Sequence, residues 1–269
     1  MRGGRRGGRT FPGGAEADSG KMIIRKSGEE IRKMREAGRI VAGVLDMLEE
    51  HIRPGVKTET LDQLAEEYIR KRKGIPSFLG YRGFPASICT SINDVVVHGI
   101  PDKTRLKEGD IIGVDVGVIL DGYQADAART YAVGEVSPVA RRLMEVTRAS
   151  LEAGIAACRA GNRLGDVSHS IQRVVEEGGF SVVVQFVGHG IGRDMHEEPQ
   201  IPNFGPPGRG PLLKPGMTFA LEPMVNEGTY EVRVEEDGWT VRTVDGKLSA
   251  HFEHTVAVTD GEPMVLTLP

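Results

Sequence analysis

Apolar residues recur at helical spacing in Ile31, Met34, Ile40, Val41, Val44, Leu45 and Leu48, which marks one stripe of an amphipathic helix. Ser27, three residues ahead of Glu30, offers a capping box at its start, and Pro54-Gly55 stops it. Leu61, Leu64, Ala65, Tyr68 and Ile69 repeat the pattern and predict a second helix over 60–72. Ser137 followed by Pro138 opens a third helix that runs to about Cys158, and residues 165–177 give a fourth. Between and after these lie β-rich runs at 86–97, 111–120, 123–133, 180–187, 217–225, 241–243 and 251–258.

The pattern is also internally repeated. Arg53-Pro-Gly ahead of a helix returns as Arg159-Ala-Gly, 106 residues later. Leu106-Lys-Glu-Gly ahead of an apolar strand carrying Asp115 returns as Leu213-Lys-Pro-Gly ahead of one carrying Glu222, 107 residues later. Two homologous halves of helices followed by strands predict an α+β domain, with a sheet covered by helices on one face and a site where the halves meet.

Composition narrows the class. The 269 residues are 39% hydrophobic and 27% charged, which is ordinary for a globular chain and neither collagen-like nor disordered throughout. A net charge of −4 gives no general affinity for nucleic acid or anionic membrane. Cys89 and Cys158 are too far apart in sequence for a CxxC metal site and too few for a disulfide framework, so a reducing, cytoplasmic setting is expected. No apolar run reaches membrane-spanning length, and the N-terminus has no signal-peptide core. Residues 1–20 are dominated by Gly and Arg; they are expected to be a disordered, solvated tail ahead of a catalytic domain over 21–269, with contact to RNA or a ribosome as the alternative use.

Chemistry enters through carboxylates in apolar strands. Asp121-Gly122 between two β-prone runs predicts a two-residue hairpin turn, pairing Leu120 with Tyr123, Gly117 with Asp126 and Asp115 with Ala128. Asp115 and Asp126 then share a face on adjacent strands. Glu222 is embedded in Met-Thr-Phe-Ala-Leu-Glu-Pro-Met-Val, and Glu253 shares its face with His251 and Thr255. Four desolvated negative charges, with Lys and Arg nearly absent from their segments, need positive partners or protons, and two divalent cations are the simplest neutralisation.

Histidines extend the set. In Val187-Gly-His-Gly-Ile-Gly-Arg-Asp-Met-His the glycines disfavour a helix, so His189 and His196 are expected on a loop that approaches a ligand closely. A dinucleotide-binding glycine loop is the competing reading, but Arg193 stands where its third glycine belongs and the βαβ context is missing. His98 ends an apolar strand just before a turn.

The motifs SINDVVVHGIP, DVGVILDGYQAD, GHGIGRDMHEEP, ALEPMV and FEHT, in this order between about Met22 and Leu268, resemble those of type I methionine aminopeptidases, enzymes that remove the initiator methionine from nascent polypeptides. The resemblance implies a pita-bread fold of two pseudo-symmetric halves. It also implies a five-residue metal set of Asp115, Asp126, His189, Glu222 and Glu253, with Asp126 and Glu253 bridging two ions. Co, Mn, Fe or Zn suit such ligands, and a hydroxide held between the ions would attack the first peptide bond. His98 and His196 match substrate-contacting histidines, His196 stabilising the oxyanion and His98 donating near the peptide nitrogen, with Glu222 as proton shuttle. By the same resemblance Tyr81, Phe84, Cys89, Met195 and Trp239 line a pocket for an unbranched thioether. Phe84 and Met195 replace a tyrosine and a phenylalanine of some relatives, and Arg82 a histidine. A monomer acting on nascent N-termini is expected. The rivals are a prolidase or proline aminopeptidase of the same fold, and a non-catalytic binding protein of that fold.

Overall fold

The computed structural model describes residues 22–269; the Gly/Arg-rich segment 1–20 lies outside them. In chain order the helices are α1 (Gly28–Glu49), α2 (Thr58–Lys71), α3 (Pro138–Ala157) and α4 (Leu164–Glu177). The strands of the first half are β1 (Ile75–Pro76), β2 (Cys89–Ile92), β3 (Val95–Val97), β4 (Ile111–Leu120) and β5 (Tyr123–Ala132). Those of the second are β6 (Ser181–Val182), β7 (Gly188–Gly190), β8 (Glu197–Ile201), β9 (Thr218–Leu221), β10 (Met224–Asn226), β11 (Val232–Val234), β12 (Val241–Thr243), β13 (Ser249–His251), β14 (Glu253–Ala257) and β15 (Met264–Val265).

All pairings between these strands are antiparallel. The main sheet runs β1-β4-β5-β14-β9-β7-β8, with β2 added to β4 and β15 to β14; two three-stranded sheets, β13-β10-β6 and β11-β12-β3, complete the structure. Ser27 and Glu30 form the expected reciprocal cap of α1. Period-two alternation then sorts β4: Ile112, Val114, Val116 and Val118 face α1 and α2 in a core with Val41, Val44, Leu45, Leu48 and Leu61. Burying each such aliphatic contributes ~1.5–3 kcal/mol. The opposite face of β4 is left for Gly113, Asp115 and Gly117. α1 also approaches the chain end so closely that a Cβ on Gly38 would lie 2.1 Å from the Leu266 carbonyl oxygen.

The repeat is a structural one. The Gly55 amide donates to the Leu106 carbonyl at 2.7 Å, and the Gly161 amide to the Leu213 carbonyl at 3.1 Å. Isolated bridges join Lys57 to Arg105 and Arg163 to Leu212. Gly109 and Gly216, both at positive φ, donate to Val133 and Val258 at 2.9 Å each. The turns ahead of α2 and α4, and those ahead of β4 and β9, are thus built from equivalent contacts.

Departures from the sequence reading have local causes. The run 217–225 breaks between β9 and β10 because Pro223 has no N–H for a ladder bond. The run 86–97 splits at Asn93, which turns with φ 53. The run 251–258 divides between two sheets at Phe252, and 180–187 is strand only at Ser181–Val182. His189 lies on strand β7, not on a loop. Its flanking glycines serve packing between β9 and β8, since a Cβ on Gly188 would meet the Ala220 carbonyl oxygen at 2.4 Å and one on Gly190 the Glu198 oxygen at 2.2 Å.

Candidate metal centre

The main sheet sets Cys89, Asp115, Ala128 and Glu253 in one cross-strand row, because Cys89 pairs with Asp115, Asp115 with Ala128 and Ala128 with Glu253. Residues in register present their side chains to the same face. A second row starts at Gly117 opposite Asp126. It continues at Thr255, whose hydroxyl accepts from the Asp126 amide at 2.9 Å and donates to the Asp126 carbonyl at 2.8 Å. Thr255 pairs with Ala220, and Ala220 with His189. Small residues stand between the long ones, so ligand atoms of Asp126, His189 and Glu253 come within 4.8 Å of one another.

Glu222 enters from the break after β9, its Oε1 lying 3.5 Å from His189 Nε2. His251 enters from the second sheet, where Met224 pairs with it, and its Nε2 lies 3.9 Å from Glu222 Oε2 and 3.7 Å from Glu253 Oε2. Nδ1 of His189 donates to the Gly190 carbonyl at 2.9 Å, which leaves Nε2 as an acceptor toward the carboxylates.

Electrostatically this arrangement is costly without a cation. Asp126 and Glu253 are buried, Asp115 and Glu222 half-buried. Burial pushes the Asp115 carboxyl up to about 7. Burial and then the neighbouring carboxylates push Asp126, Glu222 and Glu253 well above the usual range. Among the described residues, the only ion-pair partners of these four are His189 and His251, which burial holds neutral at about 4 and about 3. Asp115 Oδ1, Asp126 Oδ1, Glu253 Oε1 and His251 Nε2 are buried without hydrogen-bond partners. Orphaned oxygens and imidazole nitrogens converging on one volume fit divalent metal and fit no lysine or arginine counter-charge here.

Beside the carboxylates stand two further histidines and a group of aromatic side chains. The His196 ring is 4.3 Å from that of His189, and its Nδ1 meets the Tyr81 hydroxyl at 2.8 Å. Tyr81 and Met195 share an apolar cluster with Phe78, which also touches the cluster of Phe84, Cys89 and Trp239. Phe84 and Trp239 meet edge to face at 5.1 Å, and His98 stands edge-on to Phe186 at 5.7 Å and to Trp239 at 6.5 Å. His98 is held at φ 60, a strained conformation for a residue with a Cβ. Its ring is pushed down to about 4 by burial, so it is neutral.

A model of metallopeptidase family M24 matches residues 32–260. The methionine aminopeptidase of Clostridium acetobutylicum is 58% identical over 92% of this chain and 99% of its own length. The crystal structure of the Rickettsia prowazekii methionine aminopeptidase superposes with a TM-score of 0.91 at 46% identity, over 92% of this chain and 100% of that one. The chain belongs to metallopeptidase family M24. A prolidase from Pyrococcus furiosus, at 21% identity and a TM-score of 0.72, shares the fold alone, and this chain covers 66% of it. The pita-bread architecture that the resemblance implied, in keeping with the two-half repeat, is therefore the architecture present.

For an M24 metallopeptidase, the sequence-derived residues converge well. Asp126, His189, Glu222 and Glu253 meet directly, Asp115 abuts Asp126, and the five proposed pocket residues form two clusters joined by Phe78. Sequence reasoning missed three contributors. Phe78 had no motif to mark it. The sequence places His251 only as a face-mate of Glu253, although the i, i+2 spacing on one strand face is a usable signal. The buried Lys26–Glu197 ion pair was also missed; Glu197 accepts from the Arg193 amide at 2.9 Å and so fixes the turn carrying Met195 and His196. No helix among the described residues is long and apolar enough to cross a membrane.

Proposed function

We propose that this M24 enzyme is a methionine aminopeptidase that releases the N-terminal methionine of nascent polypeptides, with residues 21–269 as one catalytic domain. The observation that carries the reading is the convergence of Asp115, Asp126, Glu222, Glu253 and His189 beside apolar clusters that contain Met195 and four aromatic rings. Those five residues would hold two divalent ions. Such ions, when bound, activate water and polarise the scissile carbonyl.

The remaining work falls to the chain's own side chains. The free α-amine of a peptide would be a further ligand for the bound metal, which favours an amino terminus over an internal bond. His196 Nδ1 is hydrogen-bonded to the Tyr81 hydroxyl; the tautomer the reaction calls for has Tyr81 donating and the His196 proton on Nε2, where a developing oxyanion needs a donor. Neutral His98, edge-on to Trp239, is the candidate donor near the peptide nitrogen. Glu222 is the candidate to hold the proton taken from water until the leaving amine receives it. Phe84, Trp239, Tyr81, Cys89 and Met195 enclose a flexible thioether side chain. Cytoplasmic location, a monomeric state and ribosome contact belong to the same proposal.

The test is to strip the purified protein of metal, reload it with Mn, Fe, Co or Zn, and offer Met-Ala-Ser beside Ala-Pro peptides. Methionine release is expected. Proline-dependent cleavage would transfer the chain to the prolidase class, and no turnover with any of the four ions would make it a binding protein. Asp126→Asn is expected to abolish turnover and lower metal stoichiometry together.

A further inference from the structure

We propose that His251 is a sixth protein ligand of the metal centre, giving the ion on the Glu222–Glu253 side an imidazole in addition to that of His189. The inference rests on the metal-centre reading above and deepens it. His251 ends β13, and its backbone is locked by Thr130, whose Oγ1 accepts from the His251 amide at 2.9 Å and donates to its carbonyl at 2.8 Å. Pairing with Met224 brings it beside Glu222. The residue is 3% exposed, yet its Nε2 has no hydrogen-bond partner.

Where that nitrogen points is informative. It lies 3.7 Å from Glu253 Oε2 and 3.9 Å from Glu222 Oε2, too far for a hydrogen bond to either. Donors bound to one ion at about 2.1 Å lie roughly 3 to 4 Å from each other, and Glu222, His251 and Glu253 offer such a group of three. A buried polar atom aimed between two carboxylates, and bonded to neither, is placed as a ligand is placed. An added imidazole shifts preference toward Fe²⁺, Co²⁺, Ni²⁺ and Zn²⁺ and away from Mn²⁺ and Mg²⁺, which favour oxygen.

The experiment titrates the metal-free full chain with Co²⁺ and with Mn²⁺ by calorimetry, and records the visible spectrum of the Co²⁺ form, for the wild type, His251→Gln and His251→Ala. Glutamine fills the space and can donate a hydrogen bond to a carboxylate, but it is a poor ligand for Co²⁺. Both variants are expected to lose at least about tenfold in Co²⁺ affinity, to lose less for Mn²⁺ and to change the Co²⁺ spectrum. Wild-type affinity and spectrum in His251→Gln, with loss only in His251→Ala, would make His251 a hydrogen-bonding neighbour and overturn the proposal. No change in either variant would overturn it as well. A wild type that binds neither ion would instead bring down the metal-centre reading itself. Circular dichroism of the metal-free variants separates loss of a ligand from loss of the fold.

Discussion

Gly117 lies directly opposite Asp126 in the β4–β5 ladder, where a Cβ would fall 2.9 Å from Met195 Cε, Phe78 Cε1 and Ser77 Cβ. Met195 and Phe78 therefore rest on bare backbone beside a carboxylate of the candidate centre. Gly117→Ala is expected to displace Met195 and Phe78, raising KM for Met-Ala-Ser about tenfold and destabilising the fold by ~1–3 kcal/mol. Metal content should not change. An unaltered KM would mean that the methionine side chain binds elsewhere.

His196 is supported by one neighbour in particular, Tyr81, which stacks on it and holds its Nδ1. His196→Ala is expected to lower kcat by about 10² to 10³ with metal stoichiometry intact, because one oxyanion donor is removed. Tyr81→Phe leaves the imidazole in place but frees its tautomer, and a loss of about tenfold in kcat is expected, close to one hydrogen bond. Loss of bound metal in His196→Ala would show that it is a ligand instead.

The raised carboxylates link metal to pH. Asp115 is held at about 7, and Asp126, Glu222 and Glu253 well above the usual range, against about 4 in an unfolded chain. Between those values the folded metal-free protein binds more protons than the unfolded chain, so its stability falls as pH rises through that window. A divalent ion replaces the protons and removes the penalty. The gain in Tm on adding metal is therefore expected to be larger at about pH 8 than at about pH 5, with protons released on binding. An equal gain at both values would show that the carboxylates are already ionised without metal.

Much of this site could be read in the sequence because its geometry is local. Asp121 and Gly122 both take positive φ, as a tight hairpin turn requires, and the register follows, placing Gly117 on Asp126 and Asp115 on Ala128 as expected. The two-half repeat needed only self-comparison. What escaped depends on contacts between segments distant in the chain. Phe78 joins the pocket clusters through packing, and Lys26 reaches Glu197 across 171 residues. The place of His251 follows from β13 leaving the main sheet at Phe252 to pair with β10, a division that alternation alone does not show.

The start of α1 carries a second pH-dependent device, independent of the metal. Glu30 Oε2 accepts from the Ser27 amide at 2.8 Å, and its Oε1 accepts from the Tyr123 hydroxyl at 2.7 Å, so one carboxylate caps the helix and ties it to β5. The Ser27 bond first, and Tyr123 next, hold the carboxyl down at about 2, below the ordinary ~4.3. A carboxylate depressed on folding stabilises the protein fully above its unfolded value, and the contribution fades as pH falls through the folded one. Glu30→Gln keeps the size of the side chain but gives up the charge, and should cost ~1 kcal/mol at about pH 7, the scale of a helix cap. Urea unfolding should show that gap unchanged down to about pH 4.5 and closing toward about pH 2. A gap that stays constant through the acid range would mean that the cap works through shape and hydrogen bonding without help from the charge.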